Sequence, residues 1–440
     1  MKSRVVRAKA ALELADWLES TRVPDGYGGP VAHWWRDCLV DCRPGHDWRY
    51  EGILTAYLGL YAASKDGSWL RKARLAGEDL VRAQTVDGHY RQSRFELNPG
   101  TGGTPHEIAA DIGLLRLART LRGIDVSQSD RFLKVARINI DVMIARLWDD
   151  EAQRLLDDPS EKTFVPNKAA TAIEAFSLLT QMVGEERYVR QYVEPIADAI
   201  VGLQVQRPGS PLDGAIAQIS FGTRIVETYF PYYVARCIPG LIAANAATKN
   251  DRFLEAAWRA GQFVARSIQS DGGLPQVVYD GGLINTYPRW IAGTGDVLLA
   301  LQSLRPLGFQ GDLSSTEDWL LQGILPTGGV MTARGFAYQG GEYPERGSPP
   351  EFRDLLSVAG WADKALRYFS HDLDAASIAE ASAGLSDPTT MDQECSFLGR
   401  PYRMICDREG VELLHRRQVA YRWRVGSDWA ELLMPELGVR

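Results

Sequence analysis

Carboxylates and histidines in the glycine-rich stretches of the sequence offer groups for acid/base chemistry. Asp47, Glu107 and Glu227 each stand at the start of an apolar, helix-forming stretch, and His89 and His106 stand near Glu107. Glycoside hydrolysis needs a carboxylic acid that donates a proton and a carboxylate that activates water or attacks, and histidine moves protons near neutral pH. We expect these five residues to be catalytic, with the acid and base roles unassigned. Acids that only stabilise helix dipoles are the alternative.

The same stretches are rich in aromatic, basic and amide side chains. Flat rings suit the C–H face of a sugar, and guanidinium groups match carboxylates, so the pattern predicts an acidic oligosaccharide, such as one that contains a uronic acid. Packing of helix ends by the aromatics and pairing of the arginines with nearby acids stay open as alternatives. The expected substrate-binding residues are His33, Trp34, Trp48, Arg91, Arg94, Asn167, Arg224, Tyr232, Tyr279, Asn285, Arg289, Trp290 and Arg334.

A different reaction on a similar substrate is removal of the proton beside a uronate carboxylate, as in a lyase or an epimerase. Tyr287 or a histidine would then be the base, while Asn285 or an arginine would neutralise the carboxylate. A ring that binds sugar without catalysis is a further alternative.

Metal binding has one candidate in the sequence. Cys38 and Cys42 lie within 14 residues of His33 and His46, a grouping that could hold zinc. The cysteines number five, an odd count, and form no CxxC pair. We therefore interpret them as reduced, packed thiols and expect neither a metal nor another cofactor.

Internal repetition predicts how these residues are positioned. Amphipathic helices alternate with helices that are apolar nearly all round and therefore buried. Glycine turns follow the amphipathic helices at Gly26, Gly88, Gly214, Gly272 and Gly328, separated by 62, 126, 58 and 56 residues, where 126 covers two periods. The amphipathic copies span 6–29, 68–90, 130–150, 186–206, 251–273 and 315–330. The apolar copies span 50–66, 105–121, 168–184, 228–247, 288–304 and 350–369.

Loop lengths distinguish a closed ring from an open solenoid. Every connection from an amphipathic to an apolar helix is long, as in QSDGGLPQVVYDGGLINTYPRW at 269–290, whereas the returning connections are short. This asymmetry gathers the long loops at one end. We therefore predict an all-α fold, an (α/α)6 toroid of six helical hairpins with a small C-terminal antiparallel β segment, and a substrate cavity walled by the long loops.

Three segments are expected. Residues 1–370 form the catalytic toroid, residues 371–394 a linker or short helix, and residues 395–440 a small antiparallel β appendage packed on the toroid, because that tail alternates apolar and polar residues.

Composition excludes several other classes of function. A net charge of −7 argues against nucleic-acid binding. There is no apolar stretch long enough for a membrane span and no secretory signal pattern, so we expect a cytoplasmic protein without a membrane partner. Its partner would be a small-molecule or oligosaccharide substrate, and its oligomeric state is undetermined.

The architecture and the recurring DG turns resemble the six-hairpin toroid enzymes, over roughly residues 5–370. That resemblance implies a carbohydrate-active enzyme, such as an unsaturated glucuronyl hydrolase, a sugar epimerase or a toroidal polysaccharide lyase. The segments AQTVDGHY and QSDGG also resemble the glutamine-to-DG turns of isoprenoid cyclases, but the DxDD acid of those cyclases is missing. We accordingly predict a glycoside hydrolase, with a lyase or epimerase as the alternative and an isoprenoid-cyclase-like toroid as a further one.

Overall fold

The computed structural model describes residues 2–33, 39–42, 44–91, 104–338, 347–426 and 431–432. A π-helical turn, Val189–Val193, precedes the helix that begins at Glu194. The α-helices of the described residues are α1 (Arg4–Ser20), α2 (Trp48–Ser64), α3 (Gly67–Ala83), α4 (Ile108–Leu121), α5 (Val126–Leu147), α6 (Pro166–Val183), α7 (Glu194–Gly202), α8 (Pro231–Thr248), α9 (Asp251–Ser267), α10 (Thr294–Ser303), α11 (Ser314–Leu321), α12 (Ala362–Phe369) and α13 (Ala375–Ala383).

Six of these helices form a closed inner ring. Helix α2 contacts α4, and the contacts continue through α6, α8, α10 and α12 back to α2. Helices α1, α3, α5, α7, α9 and α11 form the outer layer. The (α/α)6 toroid predicted from the sequence is thus confirmed, and the contact between α12 and α2 excludes an open solenoid.

Small residues allow the inner helices to approach each other closely. A Cβ atom on Gly240 of α8 would lie 2.5 Å from the carbonyl oxygen of Ala170 on α6, and one on Gly295 of α10 would lie 2.2 Å from that of Lys364 on α12. Contacts this short leave no room for a side chain. The richness of the apolar helices in small residues is therefore a requirement of the ring.

The glutamine-to-DG turns join consecutive outer helices. The Nε2 amide of Gln84, at the end of α3, donates to the carbonyl oxygen of Gly88 and to that of Val135 on α5, at 2.9 Å each. Gln204 repeats this arrangement after α7, donating to Gly214 and to Ala256 on α9. The repeated turn thus links neighbouring hairpins through the hydrogen bonds of its glutamine side chain.

The described parts of the long connections lie at the end of the ring where the inner helices begin, and they carry short strands. The loop at 269–290 contains three of these strands. The strands are β1 (Arg22–Val23), β2 (Gly26–Tyr27), β3 (Gly29–Ala32), β4 (Leu39–Cys42), β5 (Trp148–Asp149), β6 (Arg154–Leu155), β7 (Thr163–Phe164), β8 (Ile219–Phe221), β9 (Arg224–Val226), β10 (Thr228–Tyr229), β11 (Val277–Tyr279), β12 (Ile284–Asn285), β13 (Arg289–Trp290) and β14 (Ala333–Arg334). The strands pair antiparallel, as β1–β2, β3–β4, β5–β6, β7–β8–β9, β10–β11–β12 and β13–β14.

Some element boundaries differ from the sequence prediction. The sixth inner helix begins at Ala362, because residues 350–361 form a 3-10 turn at Phe352–Asp354 and an extended segment. The segment expected to be a linker or a short helix contains α13, which packs against α1.

The tail forms a five-stranded antiparallel meander of β15 (Met391–Phe397), β16 (Arg400–Cys406), β17 (Gly410–His415), β18 (Gln418–Arg424) and β19 (Glu431–Leu432). The ring of Phe352 lies 5.6 Å from that of Phe397 and 6.0 Å from that of Tyr421, so the sheet packs on the long-loop end of the toroid. None of the described helices is long and apolar enough to cross a membrane.

Candidate active site

A cavity of about 430 Å³ opens where the inner helices begin. Its wall combines the first turns of these helices with residues of the long loops. The cavity is lined by His33, Trp48, Glu51, His106, Ala109, Asp157, Val165, Asn167, Lys168, Thr171, Gln218, Ile219, Phe230, Tyr232, Tyr233, Arg236, Trp290, Trp361 and Lys364. Because the N-termini of the inner helices face this space, their dipoles favour negative charge in it.

Histidines and tryptophans form one continuous wall of the cavity. The indoles of Trp48 and Trp361 are stacked with centroids 6.3 Å apart. The ring of His106 lies 5.1 Å from Trp48, and that of His33 lies 5.4 Å from Trp361. Trp361 has a φ of +67°, a strained left-handed conformation for a bulky residue. Strain of this kind is concentrated at functional sites.

A second group of rings borders this wall. Trp290 lies 5.4 Å from Trp361 and 3.9 Å from Tyr232, measured between ring centroids. The hydroxyl of Tyr232 donates to Asp296 at 2.8 Å. Burial and the neighbouring Asp296 raise the pKa of Tyr232 well above its ordinary value, so this phenol stays protonated at neutral pH.

A layer of ion pairs forms the cavity floor. Arg236 of α8 donates to Glu51 of α2 at 2.8 Å and to Glu174 of α6 at 2.7 Å. Arg367 of α12 bonds both Glu51 and Asp296 of α10. Lys364 adds an ion pair of 3.3 Å with Asp296.

The two carboxylates that line the cavity in the described residues are held by cations. Burial by itself raises the pKa of Glu51, but Arg236 and Arg367 more than offset it and hold that pKa below its ordinary value. Asp157 pairs with Lys168 at 2.7 Å. Glu51 therefore stays ionised and carries no proton to donate.

Asn167 contributes a polar group that is ready for a ligand. This residue is 3% exposed, and its Oδ1 has no hydrogen-bond partner in the described part of the chain. An unpaired buried amide oxygen is costly. A hydroxyl group of a ligand in the cavity would satisfy it.

The structure brings together six of the predicted site residues at this cavity. They are His33, Trp48, His106, Asn167, Tyr232 and Trp290.

The three predicted catalytic carboxylates do not line the cavity. Asp47 caps α2 and holds the guanidinium of Arg49 at 2.8 Å. Glu107 points towards the outer layer and accepts from the amide of Asn139 at 2.8 Å and from the backbone of Tyr90. Burial raises the pKa of Glu107 to about 7. Glu227 is exposed and lies 3.9 Å from Arg207.

Two further catalytic candidates also lie outside the cavity lining. The ring of His89 contacts the carbonyl oxygen of Tyr90 at 3.0 Å. Tyr287 packs on Tyr338, with centroids 4.8 Å apart.

Three of the predicted arginines contact residues of the loops and turns. Arg289 binds Asp271, in the DG turn that precedes its own loop, through two hydrogen bonds of 2.5 Å. Arg334 donates to the carbonyl oxygen of Gln322 at 3.2 Å, and Arg224 lies over the ring of Phe221. Arg91 is exposed. Arg289 is thus paired with an acid, as in the alternative interpretation, whereas Arg334 binds a backbone carbonyl oxygen.

The remaining predicted contacts divide between the surface and the undescribed part of the chain. Tyr279 is 39% exposed, and Asn285 donates to Gln276 at 2.6 Å. Trp34, Arg94 and Cys38 lie outside the described residues. Of the proposed zinc ligands, His33 lines the cavity and His46 contacts the carbonyl oxygen of Asp25 at 3.0 Å.

Several lining residues were missed by the sequence prediction. Arg236 follows Tyr232 at i+4 on α8, on the same face, so helical spacing could have indicated it. Lys168 lies beside Asn167 in the first turn of α6, where helical spacing gives no such signal. Trp361 and Lys364 were not predicted, because the predicted sixth inner helix starts at residue 350, whereas the helix in the structure begins at Ala362.

Comparison with known protein families and with curated proteins gave no match. Solved structures do match. A D-mannose isomerase gives a TM-score of 0.61 at 11% identity, covering 87% of this chain and 98% of that one. Cellobiose 2-epimerase from Bacillus thermoamylovorans B4167 gives 0.59 at 13%, covering 82% and 98%. Unsaturated glucuronyl hydrolase from Bacillus sp. GL1 gives 0.55 at 14%, covering 83% and 95%. At these identities the likeness shows the fold, and it confirms the resemblance to six-hairpin toroid enzymes.

Proposed function

We propose that the protein is a carbohydrate-active enzyme that transfers protons on a reducing sugar through His33 and His106, as a sugar epimerase or isomerase does. The observation that carries this proposal is the composition of the cavity. Two histidines line it beside stacked tryptophans, while each described carboxylate in the lining is held by a cation.

Shape and polarity support a sugar as the substrate. A volume of about 430 Å³ accommodates a monosaccharide or the end of a short oligosaccharide. The indoles of Trp48, Trp290 and Trp361 offer flat apolar surfaces, and Asn167 offers an acceptor for a hydroxyl group. The solved structures of similar fold include a mannose isomerase and a cellobiose epimerase.

The reaction follows from what the histidines can do. One neutral imidazole removes the proton from the carbon beside the carbonyl group of the open-chain sugar, and the electron pair of that C–H bond moves to form an enediolate. Returning a proton to the opposite face of the same carbon gives the epimer. Placing the proton on the former carbonyl carbon, while the neighbouring hydroxyl group loses its proton and the former carbonyl oxygen gains one, gives the isomer. Lys168, Lys364 and the inner-helix N-termini stabilise the negative oxygen.

Hydrolysis of an acidic oligosaccharide is the second candidate. Lys168, Arg236 and Lys364 all reach the cavity and could attract a uronate. A hydrolase also needs a proton donor on the leaving oxygen. Neither Glu51, which stays ionised, nor the salt-bridged Asp157 fits that role, so this candidate ranks below proton transfer.

Deuterium exchange separates the two reactions. The protein is incubated in D₂O with a panel of reducing mono- and disaccharides, and NMR follows label at the carbon beside the carbonyl group. We expect label together with epimer or ketose, and a loss of about 10²-fold or more in rate for His106→Gln or His33→Asn. His89→Asn, outside the cavity, is the matched control. Cleavage of glycosidic bonds without deuterium uptake would favour the hydrolase.

A further inference from the structure

A second cavity of about 610 Å³ lies at the opposite end of the ring, where the inner helices end. Small residues of α2, namely Gly59, Ala62 and Ala63, keep it open. Arg116 and Arg119 of α4 line it, together with Arg236, Arg367 and His371.

The acids of this second cavity are already paired. Glu174 binds Arg236 at 2.7 Å, and Asp372 binds Arg4 at 3.1 Å. Asp296 is held by Arg367 and Lys364. These pairs account for the negative charge of the lining.

Arg116 has no such partner. No carboxylate of the described residues lies within 4.0 Å of its guanidinium, which donates to the hydroxyl of Thr55 at 2.9 Å. Burial lowers the pKa of Arg116, as expected for a cation without close compensation. Arg116 lies more than a turn before Leu121, the last residue of α4, so the helix dipole has little effect on Arg116. Arg119 follows at i+3, on the same face.

The two cavities lie on opposite sides of one layer of ion pairs and share Arg236. The ion pairs Glu51–Arg236 and Arg367–Asp296 cross the ring between them. Glu51 lines the first cavity, whereas Asp296 lines the second. A ligand at Arg116 would therefore enter from the short-loop end, away from the proposed sugar.

We propose that this second cavity binds a small oxyanion of the phosphate class, held by Arg116 and Arg119. Guanidinium groups bind phosphate through paired charge-assisted hydrogen bonds. This inference does not depend on the proposed sugar chemistry.

Calorimetric titration of the full chain with inorganic phosphate, at constant ionic strength set with chloride, tests the proposal. We expect saturable binding that Arg116→Gln weakens by about tenfold or more. Ala62→Glu changes an exposed residue at the cavity rim, and its added negative charge should weaken binding too. This variant keeps the test valid if Arg116→Gln does not fold.

Lys168→Gln is the matched control, because it removes a cation from the first cavity and should leave phosphate binding unchanged. The proposal is overturned if the wild-type protein shows no saturable binding, if neither Arg116→Gln nor Ala62→Glu weakens it, or if Lys168→Gln abolishes it.

Discussion

Arg236 of α8 binds the carboxylate of Glu51 of α2 through two hydrogen bonds of 2.9 and 2.8 Å. Helices α2 and α8 are three positions apart in a ring of six, so this pair joins opposite sides of the toroid. The pair is buried, with the Arg236 side chain 8% and the Glu51 side chain 1% exposed. It therefore forms both the floor of the first cavity and a brace across the ring.

Loss of Glu51 should destabilise the fold strongly. Glu51→Gln leaves Arg236 and Arg367 buried without a full countercharge, and breaking a buried pair from one side costs about 3–5 kcal/mol. Urea denaturation measures the free energy of unfolding. Glu255→Gln, which removes an exposed i,i+4 pair with Arg259, should change it by less than about 0.5 kcal/mol. Equal losses of unfolding free energy in the two variants would contradict a stabilising role for the Glu51–Arg236 pair.

Asp363 should make stability fall as the pH rises. Burial raises its pKa to about 7, and neither of its carboxylate oxygens has a partner among the described residues. Because folding raises the pKa of Asp363, ionisation of this carboxyl group destabilises the folded state. Its contribution to stability is fully present below about pH 4, the ordinary pKa of an aspartate, and is lost as the pH rises to 7. Asp363→Asn should therefore reduce the loss of stability between pH 5 and pH 8.

Denaturation at pH 5 and at pH 8 measures this effect, which for a pKa raised to about 7 amounts to about 2–3 kcal/mol between these two pH values. The exposed Asp387→Asn removes one acid elsewhere and should keep the wild-type pH dependence. An unchanged pH dependence in Asp363→Asn would contradict the assignment.

Asn167 should matter for the ligand and not for the fold. Its Oδ1 is unpartnered, so Asn167→Leu removes no hydrogen bond from that atom, and stability should stay within about 1 kcal/mol of wild type. If the amide binds a sugar hydroxyl, the KM for the sugar should rise about tenfold. Asn139→Leu is the contrast, because Asn139 donates to buried Glu107 at 2.8 Å and its loss should cost about 1–3 kcal/mol of stability. An unchanged KM in Asn167→Leu would remove Asn167 from the site.

The glycine of a DG turn should resist substitution for two separable reasons. Gly272 has a φ of +89°, and a Cβ atom there would lie 2.0 Å from the carbonyl oxygen of Ser315 on the next outer helix. Gly281 has a similar φ of +80° with no atom within 4 Å. Gly281→Ala should cost about 1–2 kcal/mol from backbone strain alone. Gly272→Ala should cost at least about 3 kcal/mol, because overpacking adds to that strain. Thermal and urea denaturation of both variants measure the difference.

The fold was predictable because each repeat has turn residues whose backbone conformation or hydrogen bonding is constrained locally. Gly88 and Gly272 need positive φ, and Gln84 has a fixed pair of acceptors, so each repeat carries the same signal. The start of α12 was not predictable in this way, because Trp361 takes a left-handed conformation that no sequence rule assigns to tryptophan.

The candidate site was harder to predict, because proximity to a helix start does not determine which way a side chain points. His106 and Glu107 are adjacent, yet the histidine faces the cavity and the glutamate faces the outer layer. Ring closure also brings together residues as distant in sequence as Glu51 and Arg367. Such long-range pairs produce no periodic pattern in the sequence, so they could not be predicted from it.

The brace across the ring also bears on how the protein is made. The partners of Glu51 follow it by 185 and 316 residues. A nascent chain emerging from the ribosome carries Glu51 long before either arginine has been synthesised. The early hairpins can pair with their neighbours as they emerge, and Arg236 becomes available before Arg367, but the full set of partners of Glu51 exists only once Arg367 has been synthesised. Completion of the core is therefore a late event of biosynthesis, set by the last inner helix.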